Sequence, residues 1–252
     1  MNSTLIALTR PVPTTINDCE LTHLDRNPID LDRAREQHRE YEAALEALGC
    51  TIEHVAAADE MPDSVFIEDT CVVVDEVAVI TRPGAESRRG ETIAVANVLK
   101  RHREVRFIES PATIDGGDVL RIGKRVYVGV TPRSNSDGVK QLRGALEPFG
   151  YSVEAVPVHG CLHLKSAVTQ VGENAVLINR EWCDAFDDYE RIDVHPDEPF
   201  AANALRIGDA LIYPRQFPRT VERLRNVRLV DASELAKAEG GVTCCSVIFT
   251  VG

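Results

Sequence analysis

The chain has 252 residues, 44% hydrophobic and 27% charged, ordinary globular values and enough length to close one core and bury a site inside it. A net charge of -12 without clustered Lys and Arg excludes a nucleic acid or an anionic membrane surface as partner. No stretch reaches the ~20 apolar residues of a membrane helix, the run Leu5 to Leu8 is too short for a signal core, and seven cysteines without a Cys-x-x-Cys pair suit neither a disulfide framework nor a zinc ribbon, so a reducing cytoplasm is expected.

Along the chain, Leu5 to Arg10 reads as a strand stopped by Pro11, and Pro11 to Arg26 is rich in Pro, Asn and Asp and reads as a loop. Leu31, Ala34, His38, Tyr41, Leu45 and Leu48 keep a 3/4 spacing that predicts a helix, closed by Gly49. A pattern then recurs: a polar residue, a short apolar run, a tight polar turn and a second apolar run, which is the signature of a hairpin. Asp69 opens the first copy, with Cys71 to Val74, the turn Asp75-Glu76, and Val77 to Ile80. Asp118 opens the second, with Val119 to Ile122, Gly123-Lys124, and Arg125 to Val128. Ser166 opens the third around Gly172-Glu173-Asn174, and Asn203 the fourth around Gly208-Asp209. Between hairpins, Val139, Leu142, Leu146 and Phe149 predict a further helix, and Val105 to Ile108 and Val153 to Val158 predict returning strands.

The repeating unit is therefore strand, strand, helix, strand. Leu5 to Pro11 resembles the second strand of such a unit, matching Val79 to Pro83, and Cys245 to Phe249 resembles a first strand. Pairing the two ends supplies a fifth hairpin and removes the exposed edges of an open array. This predicts a single α/β domain over residues 1–252, a closed five-bladed α/β propeller whose terminal strands close the ring.

Residues just before each first strand would then point to a common centre: Glu68-Asp69, Asp115 to Asp118, His163 to Ser166, Asn203 and Cys244. Taken singly, a cysteine is usually a small buried hydrophobe and an Asp before two glycines a turn residue. Together they are a catalytic inventory. A Cys nucleophile needs nearby positive charge to become a thiolate, which a protonated imidazole or a bound guanidinium supplies. His163 can act as acid and then base, Asp115 can orient it, and Glu68 and Asp69 can clamp a planar cation.

Six segments carry a resemblance that spans nearly the whole chain: Pro62 to Asp69, Ile80 to Ala85 followed by Ser87-Arg88-Arg89, Asp115 to Leu120, Leu162 to Ser166, Ala201 to Asn203, and Thr243 to Val247. In this order they resemble the dimethylarginine dimethylaminohydrolase family of the guanidino-group modifying superfamily. The resemblance implies a five-bladed α/β propeller that hydrolyses asymmetric dimethylarginine or monomethylarginine to citrulline and a methylamine, with no cofactor and no metal. It implies Cys244 as nucleophile, His163 as general acid and base, Asp115 as its partner, and Glu68 and Asp69 on the guanidinium. It places Arg88 and Arg133 on the substrate carboxylate and Asp63 on the α-amino group, with backbone groups of Leu21 and Ala238 assisting. The partner is then a small-molecule substrate, the protein a monomer or homodimer, and the segments Pro11 to Arg26 and Glu239-Gly240-Gly241 a gate. The sequence departs from the family pattern around Leu21, and Cys71 and Cys161 add thiols near the site that could bind zinc or oxidise. Alternatives are a sibling activity, arginine deiminase or citrulline hydrolysis, and a silent binding protein for cationic amino acids; the joint presence of Cys244 and His163 counts against the last.

Overall fold

The computed structural model describes residues 3–252. In chain order the elements are β1 (Thr4–Thr9), α1 (Leu31–Ala47), β2 (Cys50–His54), β3 (Cys71–Val73), β4 (Val77–Ile80), α2 (Thr92–Leu99) and β5 (Glu104–Phe107). There follow β6 (Val119–Ile122), β7 (Arg125–Val130), α3 (Ser136–Leu146), β8 (Ser152–Pro157), α4 (Leu164–Ala167), β9 (Val168–Gly172), β10 (Ala175–Ile178) and β11 (Glu190–Asp193). The chain ends with β12 (Leu205–Ile207), β13 (Ala210–Pro214), α5 (Pro218–Val221), β14 (Val227–Val230), α6 (Ser233–Ala236) and β15 (Val247–Val251).

These strands form five three-stranded sheets: β15-β1-β2, β3-β4-β5, β6-β7-β8, β9-β10-β11 and β12-β13-β14. In each, the first two strands are antiparallel and the third joins the middle one in parallel, as in Val119↔Val128 followed by Val128↔Ala155. A middle strand covered on both faces must be apolar throughout, and Val77–Ile80 is buried at every residue. The termini supply the fifth hairpin, with Ile6 opposite Phe249.

Closure is visible in the packing. Buried apolar residues fall into clusters that each join neighbouring sheets, including one in which Ala7 and Cys50 of the first sheet meet Ile207, Ile212 and Val230 of the last. A three-stranded sheet must bury its apolar surface against another layer, and here each sheet does so against its neighbours in the ring. The inner strands β3, β6, β9, β12 and β15 surround a central pore of about 210 Å³. The propeller architecture and the pairing of the terminal strands agree with the sequence expectation.

The expectation of a helix in every unit is corrected. α1 is capped by Asp30, whose side chain accepts from the Arg33 backbone N–H, and stops at Gly49 with φ +90. Asn135 caps α3 in the same way, and Val139, Leu142 and Leu146 face inward. Between β10 and β11 no helix forms: Asn179 folds back to accept from Glu181 N, and Phe186, at φ 70, packs on Tyr127 with ring centroids 4.5 Å apart. In the last sheet the helix shrinks to the four residues of α5. The C-terminal strand also begins at Val247 rather than Cys245, because Cys244 is held in a turn by its N–H to Gly241 O. No helix of the described residues is long and apolar enough to cross a membrane.

Candidate active site

The connections into the inner strands bring the expected residues to one end of the pore. Asp69 lies on a 3-10 turn, Ile67–Thr70, that leads into β3. Its Oδ2 accepts from Arg88 Nη1 at 2.5 Å and its Oδ1 from Gly117 N at 2.9 Å. Burial opposes its charge, but His163 and Arg88 outweigh burial and hold the carboxyl down to about 2.

His163 stands at the start of α4 with Nε2 3.0 Å from Asp115 Oδ2 and 3.9 Å from Asp69 Oδ1. Burial disfavours the imidazolium, yet Asp69, the hydrogen bond to Asp115 and the nearby Asp118 together push its pKa up to about 9. The ring is therefore protonated at neutral pH. Asp115 is fully buried and its other oxygen accepts from Gly84 N at 2.9 Å. Asp118 works one step back: it accepts from Thr131 and Ser134 and from Leu164 N at 2.9 Å, which fixes the backbone beside His163.

The two glycines of Asp115-Gly116-Gly117-Asp118 answer to close approach. A Cβ on Gly116 would lie 1.9 Å from the carbonyl oxygen of Glu68, and one on Gly117 would lie 2.7 Å from both Asp69 Oδ1 and His163 Nδ1. Any side chain here would evict the imidazole or the turn that carries the carboxylates.

Cys244 is the one half-buried cysteine; the other six are buried. Its Sγ accepts from Gly241 N at 3.3 Å, while burial and the charges of Glu68 and Asp69 push the thiol up to about 12. Cys245 is buried and its thiol donates to Gly241 O. Cys71 and Cys161 are also pushed up to about 12, by burial first, so the extra thiols near the site rest protonated and covered.

Asp63, Asp69, Arg88, Arg133, His163 and Cys244 line one small, partly open chamber of about 20 Å³. Asp63 is buried and accepts from Glu20 N at 3.1 Å. Arg88 is more committed than expected: Nε and Nη2 donate to Glu91 at 3.1 and 2.8 Å, Nη2 also to the Phe66 carbonyl at 3.1 Å, and Nη1 to Asp69. Of its five N–H groups, one on Nη1 remains for another acceptor. Arg133 is looser, with Nη1 3.8 Å from Asp115 and Nη2 3.3 Å from Thr22 Oγ1. Ala238 lines the chamber and its N–H is spent on Leu235 O, which leaves its carbonyl. The side chain of Leu21 packs against the core beside α1, and its neighbour Glu20 lines the chamber.

Glu68 parts company with Asp69. Its oxygens accept from Lys165 Nζ at 2.5 Å and Thr243 Oγ1 at 2.8 Å, and it lines the pore rather than the chamber. Each oxygen keeps a further lone pair. Asn203 ties this wall together, donating to Lys165 O and Thr243 Oγ1 and accepting from Thr243 N at 3.1 Å. Ligand atoms of Asp69, Asp115 and His163 lie within 4.8 Å of one another, close enough to share a cation; Arg88, Gly117 and Gly84 already donate to the two carboxylates.

The loop that precedes α1 is tied to the segment before the nucleophile. Glu239, at φ 59, accepts with Oε1 from the backbone N–H groups of Thr22, His23 and Leu24 at 3.0, 2.5 and 2.7 Å. Lys165, Thr243 and Glu91 were not assigned roles from the sequence, although Lys165 and Thr243 lie inside the segments singled out there; Glu239 was placed in a gate segment, without its bonds to the loop at Thr22 to Leu24.

The arginine deiminase family model matches residues 15–234. The chain is 44% identical over 232 residues to the N(G),N(G)-dimethylarginine dimethylaminohydrolase of Streptomyces coelicolor, covering 90% of each chain. It is 34% identical over 247 residues to the enzyme of that name from Pseudomonas aeruginosa, covering 95% of this chain and 96% of the other. The structure of a Cys→Ser mutant of the Pseudomonas aeruginosa protein complexed with citrulline superposes with a TM-score of 0.93 at 33% identity, over 98% of this chain and all of that one. With its propeller and its cysteine, histidine and carboxylates gathered at one end of the pore, the chain belongs to the dimethylarginine dimethylaminohydrolase family, within the arginine deiminase group of enzymes that act on guanidino groups.

Proposed function

We propose that this chain hydrolyses Nω-methylated arginine, asymmetric dimethylarginine or monomethylarginine, to citrulline and a methylamine. The observation that carries the reading is a single chamber in which a half-buried Cys244 meets a protonated His163 and an Asp69 held ionised by Arg88. Arg133, with the remaining Nη1 N–H of Arg88, takes the substrate carboxylate, and Asp63 and the Ala238 carbonyl take the α-amino group, with the backbone at Leu21 assisting. Asp69 faces the guanidinium, backed by Glu68 through its free lone pairs.

The charge balance explains how a thiol pushed up to about 12 can react. Two carboxylates beside Cys244 oppose the thiolate, and a guanidinium that binds Asp69 cancels their field and adds a positive charge next to Sγ. The substrate thereby helps to ionise its own nucleophile. Sγ adds to the guanidinium carbon, and the C–N bond to the methylated nitrogen breaks as His163 gives that nitrogen its proton. The neutral imidazole then takes one proton from water as the water attacks the thiouronium carbon, and the adduct collapses to citrulline with its remaining hydroxyl proton returning Cys244 to the thiol. Asp115 and Asp118 hold the ring in place throughout. The steps use this chain's own residues, with no cofactor or metal in any role.

All these groups come from one chain of one catalytic domain over residues 1–252, so a monomer suffices and a homodimer needs no shared site. Seven free cysteines suit a reducing cytoplasm. The test is a product assay with asymmetric dimethylarginine, monomethylarginine and arginine, each incubated separately, with citrulline and the released amine quantified. Citrulline from the methylated substrates, lost after alkylation of the thiol, is the expected result. Turnover of arginine alone would move the chain to the deiminase reaction, and binding without product to a silent cationic amino-acid protein.

A further inference from the structure

A second cavity of about 330 Å³ adjoins the chamber and shares Leu162, Glu239, Gly240 and Cys244 with it as a common wall. The chamber holds the groups suited to an amino acid's charged end. The second cavity is more apolar: its walls include Leu24, Pro214, Phe217, Ala232 and Ala236 beside the polar His23, Ser166 and Asn203, and Phe200, 46% exposed and edge-on to Trp182 at 4.9 Å, also lines it. Two of its lining residues also keep a buried oxygen that no protein donor among the described residues reaches, Gln216 Oε1 and Glu239 Oε2. An apolar space with a few unmet acceptors fits a ligand with an alkyl body and an N–H head.

We infer that this cavity is a pocket for the substituent on the reacting guanidinium nitrogen and for the amine it becomes, and that its size admits Nω-alkyl groups much larger than methyl. The inference rests on the reading of Cys244 as the nucleophile of a methylarginine hydrolase. A substrate with its carboxylate on Arg133 and its guanidinium carbon at Cys244 directs whatever lies beyond that carbon across the shared wall. When the C–N bond breaks, the electron pair stays on the substituted nitrogen, which takes the proton from His163 and leaves as a neutral alkylamine beside Glu239, free to take a further proton from solvent. Water supplies the oxygen of citrulline. Methyl groups fill little of 330 Å³, and each added methylene buried from water favours binding by about fourfold until the space is full.

The experiment measures kcat/KM for Nω-methyl-, Nω-propyl- and Nω-butyl-arginine with the intact protein and with Ala236→Phe, which fills the cavity from a residue outside the reacting groups. The intact protein should release citrulline and butylamine with a kcat/KM within about tenfold of the methyl substrate. The filled variant should lose about 20-fold or more on the butyl substrate and less than threefold on the methyl one. Should Ala236→Phe fail to fold, Ala236→Leu gives the same ordering at smaller size. A wild-type protein that hydrolyses the methyl but not the butyl substrate overturns the pocket alone, as does a variant that loses both equally. No citrulline from the methyl substrate overturns the hydrolase reading and the pocket with it.

Discussion

Two neighbouring carboxylates, Glu68 and Asp69, end on opposite sides of one wall and are treated in opposite ways. Asp69 faces the small chamber, where His163 and Arg88 hold its carboxyl down to about 2 despite burial. Glu68 faces the pore, where burial outweighs Lys165 and pushes its carboxyl up. Asp69 is buried and Glu68 half-buried, and each is stabilised by a cation. What differs is the cations each meets: Asp69 has His163 and the planar fork of Arg88, whereas Glu68 has the single point charge of Lys165. The chamber side is thereby kept ionised and ready for a second cation, and the pore side is tied shut by Lys165, Thr243 and Asn203. Adjacent residues of like charge can thus meet different cations and line different spaces according to the side of the turn on which each emerges.

The sharpest break in this comparison is at the nucleophile. Cys244→Ser should reduce turnover at least ~10³-fold while leaving the melting temperature close to that of the parent, and Cys245→Ser should leave turnover near normal; retained activity in the first variant would shift the chemistry to Cys245. Next, the two sides should separate by readout. Asp69→Asn should lower kcat/KM by about 10²–10³-fold. Lys165→Met, which removes the cation from half-buried Glu68, should cost about 1–3 kcal/mol of stability in denaturant titration. Equal loss of stability from both changes would erase the distinction.

Removing one acid from beside His163 should be milder. Asp115→Asn withdraws a hydrogen bond that raises the imidazole pKa, so the alkaline limb of the kcat profile should move to lower pH and kcat should fall by about 10²-fold. The same shift predicts a stability effect. A histidine raised from 6.5 to about 9 contributes stability that is complete below pH 6.5 and is lost as pH rises through about 9. The melting temperature should decline between pH 7 and 9.5, and a His163→Gln variant should show a flatter decline; identical slopes would count against the charged ring.

The smallest effects distinguish the two arginines of the chamber. Arg133→Ala should raise KM about 10-fold or more with little change in melting temperature, because its contacts to Asp115 and Thr22 are long. Arg88→Ala should be seen first as lost stability, since it strips Glu91 and Asp69 of their buried partner. A reversed order of these two outcomes would exchange their roles.

Much of this architecture is legible in the residues because it is written locally. Asp75-Glu76, Gly123-Lys124, Gly172-Glu173-Asn174 and Gly208-Asp209 mark turns, apolar runs of fitting length flank them, and the unmatched strands at the two ends demand one another. The same local patterns placed Asp69, Asp115, His163 and Cys244 at the heads of inner strands. Tertiary structure alone decided the rest. It separated Glu68 from Asp69 through Lys165, 97 residues away, and it tied Glu239 to backbone groups more than 200 residues distant. It spent most of Arg88 on Glu91 and Asp69, omitted the helix between β10 and β11, and opened an apolar cavity beside Cys244. Turn chemistry and hydrophobic period act over a few residues and can be read from them, whereas the pairing of buried charges and the shape of empty space depend on which distant segments the closed ring brings into contact.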